Sequence, residues 1–153
     1  MRKVEIVQAT MEHAEDMLPR VRQADIEEFY ATAKWSPEMT LRFAIKHSTH
    51  RWAGIVDGQV VAIFGASLAS ILTGTGIPWL ISSNEVERYQ MTFLRHSRPL
   101  LSEMLKEYRL LENYADARNV KACCWLRWMG FKFDEARPFG ALGLPFHRFE
   151  MRR

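Results

Sequence analysis

Alternating hydrophobic and polar positions at the start of the chain predict a strand. The segment 4–10 (VEIVQAT) has this period-two pattern. Thr10 is a suitable N-cap for a short helix that begins at Met11, and acidic residues follow in its first turns. Pro19 is expected to end or bend that helix, because proline cannot donate a backbone hydrogen bond.

Helical spacing of apolar residues continues through two further segments. The segment 23–33 predicts a second helix, and a third is predicted to start with Ser36 as the cap and Pro37 at the first helical position. The expected inward face of the second helix consists of Ile26, Phe29, Tyr30 and Ala33. That of the third helix consists of Leu41, Ala44 and Ile45.

The pattern then changes to that of strands. Asp57 and Gly58 stand between two apolar runs, which indicates a tight hairpin, because both turn residues tolerate positive φ. Another strand is predicted within 71–82. Pro78 is placed near the start of that strand, since it cannot donate to a sheet ladder.

Two helices are predicted after this strand. Asn84 is expected to open the first, with Glu87 three residues later as in a capping box. Pro99 is expected to divide the region, and Ser97 to cap a second helix. The apolar stripe of the second helix consists of Leu101, Met104, Leu105 and Tyr108.

The chain is predicted to end with a strand, a helix and two strands. The segment 108–115 supplies the first strand, 119–129 the helix, and 131–135 and 146–153 a closing pair joined by a loop rich in proline and glycine. The order of elements predicts an α/β or α+β fold with a mixed sheet flanked by helices. The length of 153 residues fits one domain that covers 1–153.

The composition narrows the function classes. Hydrophobic residues make up 48% and charged residues 25%, which is typical of a soluble globular protein. The net charge is +3, and arginine supplies 15 of the 21 basic residues, which favours contacts to carboxylate or phosphate. Because these residues are scattered among acidic ones, nucleic acid is an unlikely partner.

The sequence does not indicate a membrane protein, a secreted protein or a metal-binding protein. No segment reaches the roughly 18 to 20 apolar residues of a membrane span, and the first residues lack the apolar core of a secretory signal. An intracellular protein without a membrane partner is therefore expected. Cys123 and Cys124 are the only cysteines, and neither they nor the five histidines have metal-ligand spacing.

The last predicted helix and its exit resemble the GNAT acyltransferase superfamily. The resemblance rests on Asn119, Ala122 and the pair Gly130-Phe131, and it extends over most of the chain. The phrases PWLISSNEV, LLENYADARNV and WLRWMGF look more narrowly like short GNAT-like proteins of tailed bacteriophages, similar to internal virion protein A.

The resemblance implies a mostly antiparallel GNAT-like sheet and transfer of an acetyl group from acetyl-CoA to a small-molecule or protein amine. The alternative is a non-catalytic protein on the same fold, associated with the virion or with phage or host proteins. The implied location is the host cytoplasm or the phage virion.

The resemblance also implies where the cofactor would lie. Backbone groups of Ile81, Ser82 and Ser83 would pair with the pantetheine arm, and Asn119 belongs to the same site. Arg88 and Arg95, with Arg98 further along, could share one helical face and clamp the phosphates. A solvated face of a surface helix is the alternative for these arginines.

Three features depart from the family pattern. The helix start that normally carries a glycine-rich phosphate loop reads SSNEVERYQMTF and contains no glycine. Glu85 and Glu87 place negative charge there, which suits the helix but not an anionic ligand. Leu126 occupies the position of the tyrosine acid found in many members.

A general base must take a proton from the attacking amine. Glu85, Glu87 or Glu112 could do so through a water molecule, and Glu85 and Glu112 are the predicted catalytic residues. The alternative for each is a solvated or capping carboxylate.

Overall fold

The computed structural model describes residues 2–153, which form one mixed sheet covered by helices on both faces. The helices are α1 (Met11–Met17), α2 (Gln23–Ala33), α3 (Pro37–His47), α4 (Gln90–Glu107) and α5 (Val120–Met129). The strands are β1 (Val4–Gln8), β2 (Ser48–Val56), β3 (Gln59–Ser70), β4 (Thr75–Ser82), β5 (Leu110–Asp116), β6 (Lys132–Phe133), β7 (Arg137–Phe139) and β8 (Leu144–Arg152).

The sheet has the order β1-β2-β3-β4-β5-β8-β6, and β7 pairs with β8 beside this path. All pairs are antiparallel except β4 and β5, which run parallel. The predicted mixed, mostly antiparallel sheet is therefore confirmed, as are the closing pair β6 and β8.

The parallel pair β4 and β5 divides the sheet. The two strands pair only at Thr75 with Leu110 and at Gly76 with Leu111. Beyond these residues β4 continues to Ser82 and β5 to Asp116 without further pairing between them. The sheet thus contains a V-shaped opening between β4 and β5.

Local sequence signals set several elements as predicted. Asp57 and Gly58 have φ angles of 50° and 81° and connect β2 to β3 in a tight hairpin. The Ser36 side chain accepts a hydrogen bond of 3.2 Å from the Met39 N–H and caps α3. The buried residues of α3 are the predicted ones, Leu41, Ala44 and Ile45.

Helix α2 has the predicted bounds but buries a different face. Phe29 is buried as expected, whereas Tyr30 is 52% exposed and Ala33 is also exposed. Asp25 and Ala31 are buried in their place. The cause is that Asp25 accepts hydrogen bonds from the backbone N–H and the hydroxyl of Ser82 at the end of β4, so this charged residue faces the sheet.

The predictions for the region after β4 are wrong in two respects. Asn84 begins a 3-10 segment (Asn84–Tyr89), anchored by the fully buried Val86, and the α-helix starts only at Gln90. Helix α4 then continues through Pro99 without a break. Ser97 does not cap a second helix, because its hydroxyl donates a 2.8 Å bond to the Phe93 carbonyl within α4.

The core lies on both faces of the sheet. One cluster, which includes Met17, Leu41 and Ile63, joins the sheet to α1, α2 and α3. Two others pack α4 and α5 against the opposite face, around Tyr108 and Phe93. Within residues 2–153, no helix combines the length and the apolar character that crossing a membrane requires.

Gly76 supports the apex of the V-shaped opening, so Gly76→Ala is expected to destabilise the fold. A Cβ atom at this position would lie 2.6 Å from Cδ2 of Tyr108. The Tyr108 ring is 2% exposed and its hydroxyl lies 2.6 Å from Thr49 Oγ1, so the ring has little freedom to move. Overpacking of this kind costs about 2 kcal/mol of unfolding free energy, measurable by urea denaturation.

Gly54→Ala, in β2 two strands away from β4 in the sheet, is the matched control. The nearest atom to its added Cβ would be Ile6 Cδ1 at 3.7 Å, an ordinary contact. Its unfolding free energy is expected to change by less than about 1 kcal/mol. Equal effects of the two substitutions would contradict the close packing at the apex.

Candidate functional site

The opening between β4 and β5 contains a cavity of about 290 Å³. Residues from both faces of the sheet line it: Phe29 and Trp35 come from the side of α2 and α3, and Phe93, Leu101 and Leu126 from the side of α4 and α5. The cavity therefore forms a largely apolar window through the sheet. A concave apolar site with a few polar groups is typical of small-molecule binding.

A single carboxylate closes the wide end of this window. Asp25 Oδ2 accepts 3.0 Å hydrogen bonds from the backbone N–H and from the hydroxyl of Ser82 at the end of β4. Asp25 Oδ1 accepts a 3.0 Å bond from Asn119 Nδ2, at the N-cap of α5. The residue thus connects the two sides of the opening.

Arg22 neutralises the buried Asp25. Its Nη1 donates to Asp25 Oδ1 at 2.9 Å, its Nη2 donates to Asn119 Oδ1 at 3.3 Å, and its backbone N–H donates to Ser82 O at 3.0 Å. The guanidinium also lies 4.9 Å from the ring centroid of Trp125. Trp125 is not among the lining residues, so its indole does not fill the window.

Glu28 is the titratable group with the most unusual environment on the cavity wall. Its Oε1 accepts a 2.8 Å bond from the Asp116 backbone N–H and lies 3.5 Å from Asn119 Nδ2. The pKa of Glu28 is raised to about 8, mainly by desolvation. The hydrogen bond from the Asp116 N–H lowers this pKa, whereas the negative charges of Asp25 and Asp116 raise it further. Glu28 can therefore exchange a proton near neutral pH.

The exposed fraction of Glu28 is intermediate although protein atoms surround its carboxyl group. The two facts agree because the cavity itself gives access to the side chain. Sequence reasoning did not select this residue. Its signal was the i,i+3 spacing of Asp25 and Glu28 on the helix face that also contains Phe29.

Strand β4, whose end was predicted to bind the cofactor, lies at the window, but some of its backbone groups already form hydrogen bonds within the protein. Ile81 lines the cavity. The Ser82 N–H is bound by Asp25, and the Ser83 N–H donates to Val61 O at 2.9 Å within the sheet. Asn113 Nδ2 in β5 donates to Pro78 O at 2.7 Å across the opening. These bonds leave fewer free backbone groups on β4 than an open strand edge would present.

Asn119 lies at the site as predicted, and its contacts there are with the protein. Its side chain is 2% exposed and bonds to Arg22, Asp25 and Glu28. The structure thus gives it a positioning role at the wide end of the window, and contact with a cofactor stays a prediction.

The predicted catalytic carboxylates are not brought together and do not line the window. Glu85 Oε2 lies 3.1 Å from Arg20 Nη1. Partial burial acts to raise the pKa of Glu85, but hydrogen bonds and the Arg20 charge outweigh it and lower the pKa. Glu112 in β5 is ion-paired with Arg148. A catalytic role for these two residues stays a prediction.

The predicted phosphate clamp is divided between two elements. Arg88 lies in the 3-10 segment and Arg95 in α4, and both are exposed. Within the described part of the chain, neither forms an ion pair. Arg98 points elsewhere: it lies 4.0 Å from the Trp128 ring centroid and donates to the Trp128 carbonyl at 3.0 Å.

The residues present fit one part of coenzyme A and not another. The apolar window suits a pantetheine arm and its thioester. The turn after β4 instead contains Glu87, whose Oε2 lies 2.9 Å from Lys121 Nζ and whose Oε1 lies 3.7 Å from Arg22 Nε. The hydrogen bond from Lys121 is the main cause that lowers the pKa of Glu87. The ionised carboxylate disfavours a diphosphate at this turn.

Other reactive groups do not point to covalent or metal chemistry. Burial raises the pKa of the Cys123 thiol to about 11, which makes it a poor nucleophile, and Cys124 is exposed. Across residues 2–153, no group of three His, Cys, Asp or Glu side chains is arranged to bind a metal ion.

Comparisons with known proteins identify the fold. No protein-family model matches the sequence, and no curated protein is significantly similar to it. Among solved structures, an acetyltransferase candidate from Acinetobacter baylyi ADP1 is 13% identical with a TM-score of 0.73, over 100% of this chain and 94% of that one.

Two similar structures contain coenzyme A. Aminoglycoside acetyltransferase AAC(6')-Ib in complex with coenzyme A is 11% identical with a TM-score of 0.70, over 99% of this chain and 95% of that one. Spermidine N-acetyltransferase from Vibrio cholerae, in complex with CoA and spermine, is 10% identical with a TM-score of 0.64, over 97% and 95%. The chain therefore has the GNAT acetyltransferase fold, as the sequence resemblance implied; these identities show the fold alone.

Asp25→Asn is expected to destabilise the protein strongly. The substitution leaves Arg22 without its buried counter-charge. It also places the new side-chain amide at position 25 in contact with the amide of Asn119. Breaking one partner of a buried ion pair costs about 3 kcal/mol or more of unfolding free energy. Glu38→Gln, which breaks an exposed pair with Arg42, should cost less than about 0.5 kcal/mol. A mild effect of Asp25→Asn in chemical denaturation would contradict the bridge.

The free energy of unfolding of the Glu28→Gln variant, relative to that of the wild type, is expected to increase as pH rises. The folded-state pKa of Glu28 is above its usual value, so its contribution is fully present below about pH 4.5 and is lost as pH approaches about 8. Glutamine keeps the acceptor for the Asp116 N–H but cannot ionise. The stability difference should therefore grow by on the order of 4 kcal/mol between pH 5 and 9. A difference independent of pH would rule out the raised pKa.

Proposed function

We propose that the chain is an N-acyltransferase that moves an acetyl group from a thioester such as acetyl-CoA to an amine in the window between β4 and β5. The observation that carries this proposal is the Glu28 carboxyl group, with a pKa of about 8, on the wall of a cavity in the split sheet. The GNAT acetyltransferase fold supports the same reaction class.

The window would orient the two reactants. Its lining residues come from the side of α2 and α3 on one face and from the side of α4 and α5 on the other, so donor and acceptor could each contact one side. A donor bound against the apolar lining would displace water, which would limit hydrolysis of the thioester. Holding two reactants in attack geometry can by itself contribute several kcal/mol to catalysis.

Glu28 would move the protons of the reaction. The amine nitrogen attacks the thioester carbonyl, an N–C bond forms, the C–S bond breaks, and the proton of the amine passes to the Glu28 carboxylate. Leu126 offers no proton to the departing sulfur, so Glu28 returns the same proton to that thiolate. A carboxyl group whose pKa is raised to about 8 can both accept and return a proton near neutral pH, which suits both transfers.

The acceptor would be a small-molecule or protein amine. The similar enzymes act on spermidine and on aminoglycosides by name, and these amines are suitable probes for this chain. We further propose that the enzyme is a phage-type protein acting in the host cytoplasm. The sequence phrases PWLISSNEV and WLRWMGF, around Pro78 and Trp125, support this.

A non-catalytic protein of phage assembly or infection is the second candidate. Leu126 in place of a proton donor and the two carboxylates at the turn after β4 favour it. Its partners would be phage or host proteins. Co-sedimentation of the chain with virions, combined with no thioester binding, would support this candidate over the enzyme.

Glu28→Gln is expected to lower acetyl transfer at least about 100-fold, because glutamine cannot accept the proton of the amine. Wild-type activity should rise with pH and level off above about pH 8, and the variant should lose this dependence. The measurement is thiol release from acetyl-CoA, with the amide product identified by mass spectrometry, for spermidine and an aminoglycoside.

Glu85→Gln and Glu112→Gln are the matched controls, since both remove a carboxylate that lies outside the window. Each should leave the pH profile unchanged. A profile that survives in Glu28→Gln and disappears in one of the controls would assign the base to Glu85 or Glu112 instead. Absence of amide product from the wild type would refute the enzyme.

A further inference from the structure

We infer that the donor site recognises the neutral arm of an acyl thioester and discriminates against the diphosphate of coenzyme A. The inference rests on the proposed acyl transfer in the window between β4 and β5. It assigns the donor to a class: a pantetheine-type thioester whose charged end is not bound by this chain.

Backbone donors at the end of β4 are already used. The Ser82 N–H is bound by the Asp25 carboxylate, the Ser83 N–H by the Val61 carbonyl, and the Val86 N–H by the Ser83 carbonyl. An anion binds at a helix start through such free N–H groups. A diphosphate that used these three N–H groups would have to displace internal hydrogen bonds.

Three cations beside this turn are also used. Arg20 lies 3.1 Å from Glu85, Lys121 lies 2.9 Å from Glu87, and Arg22 lies 3.7 Å from Glu87. The protein thus supplies its own anions to these three basic side chains, whereas the exposed Arg88 in the same 3-10 segment forms no ion pair within residues 2–153. Asp25 adds a third carboxylate, paired with Arg22.

The two glutamates keep these three cations occupied. Both have a lowered pKa and are ionised at neutral pH. An ion pair at contact distance in water is worth about 1 kcal/mol, so a diphosphate that must replace both carboxylates at their cations should lose on the order of tenfold in affinity. Salt reduces this loss by screening.

A neutral arm meets none of these obstacles. The window is lined mostly by apolar side chains and has volume for an extended chain of neutral amide groups. The same arm occurs as a free small thioester and as a thioester tethered to a carrier protein. Both sources share the chemistry that the window recognises.

The test compares equilibrium binding of pantetheine and of coenzyme A by isothermal titration at low ionic strength, without acceptor. Pantetheine is expected to bind at least as tightly as coenzyme A. The double substitution Glu85→Gln and Glu87→Gln should tighten coenzyme A binding about tenfold, because it frees three cations for the diphosphate, and should leave pantetheine binding unchanged. Glu103→Gln, in an exposed pair with Lys106 on α4, is the control for net charge. Thermal melts verify that each variant is folded.

Three results would overturn the inference. One is coenzyme A binding at least tenfold tighter than pantetheine, with that advantage lost in the double substitution Arg88→Ala and Arg95→Ala, as the predicted phosphate clamp requires. The second is an affinity for coenzyme A that does not respond to the glutamate substitutions. The third is no binding of either compound at millimolar concentration.

Two acetylated donors then separate the sources. Acetyl-pantetheine and an acetylated carrier protein are compared as donors to spermidine. A carrier protein at least tenfold more efficient identifies the tethered source, and equal efficiency identifies the free one. Binding is measured without reaction. Preferential pantetheine binding with no amide product would therefore refute the proposed acyl transfer but would still support recognition of the neutral pantetheine arm.

Discussion

The buried carboxylate of Asp25 is the interaction on which the site depends. The sheet divides after two residue pairs at its apex, and nothing in the backbone ladder connects the two halves beyond them. Asp25 makes that connection by binding Ser82 on one side and Asn119 on the other. Because a buried charge needs compensation, Arg22 is drawn into the same cluster. The result is a window of fixed shape.

The same charge determines the chemistry next to it. Glu28 lies one helical turn after Asp25, and the proximity of the two carboxylates adds to desolvation in favouring the protonated form of Glu28. On the opposite rim, Glu85 and Glu87 are stabilised as anions by Arg20, Lys121 and Arg22. The site thus contains one carboxyl group near its neutral point and two that are fully ionised. The first suits proton transfer, and the others disfavour an anionic ligand.

Local signals in the sequence determined the framework. The hairpin at Asp57 and Gly58 and the cap at Ser36 depend on the conformational preferences of single residues, which act wherever the chain goes. The order of strands and helices followed from hydrophobic periodicity and predicted the mixed sheet, whereas the GNAT-like architecture was implied by the family resemblance. The pattern at 119–131 pointed to the same fold, which the structural comparisons show.

Tertiary structure alone decided the site. Helix α4 passes through Pro99, because packing of Leu101 and Met104 and the Ser97 bond to Phe93 stabilise a continuous helix that local preference would end. The local sequence does not distinguish Asp25 and Glu28 from solvated carboxylates on α2. The groups that supply their hydrogen bonds belong to Ser82, Asn119 and Asp116, which lie at least 57 residues away from their partners in the sequence. Sequence periodicity reports only which residues share a face. Which polar groups meet across that face depends on contacts between distant segments, and these set both the burial and the pKa of Glu28.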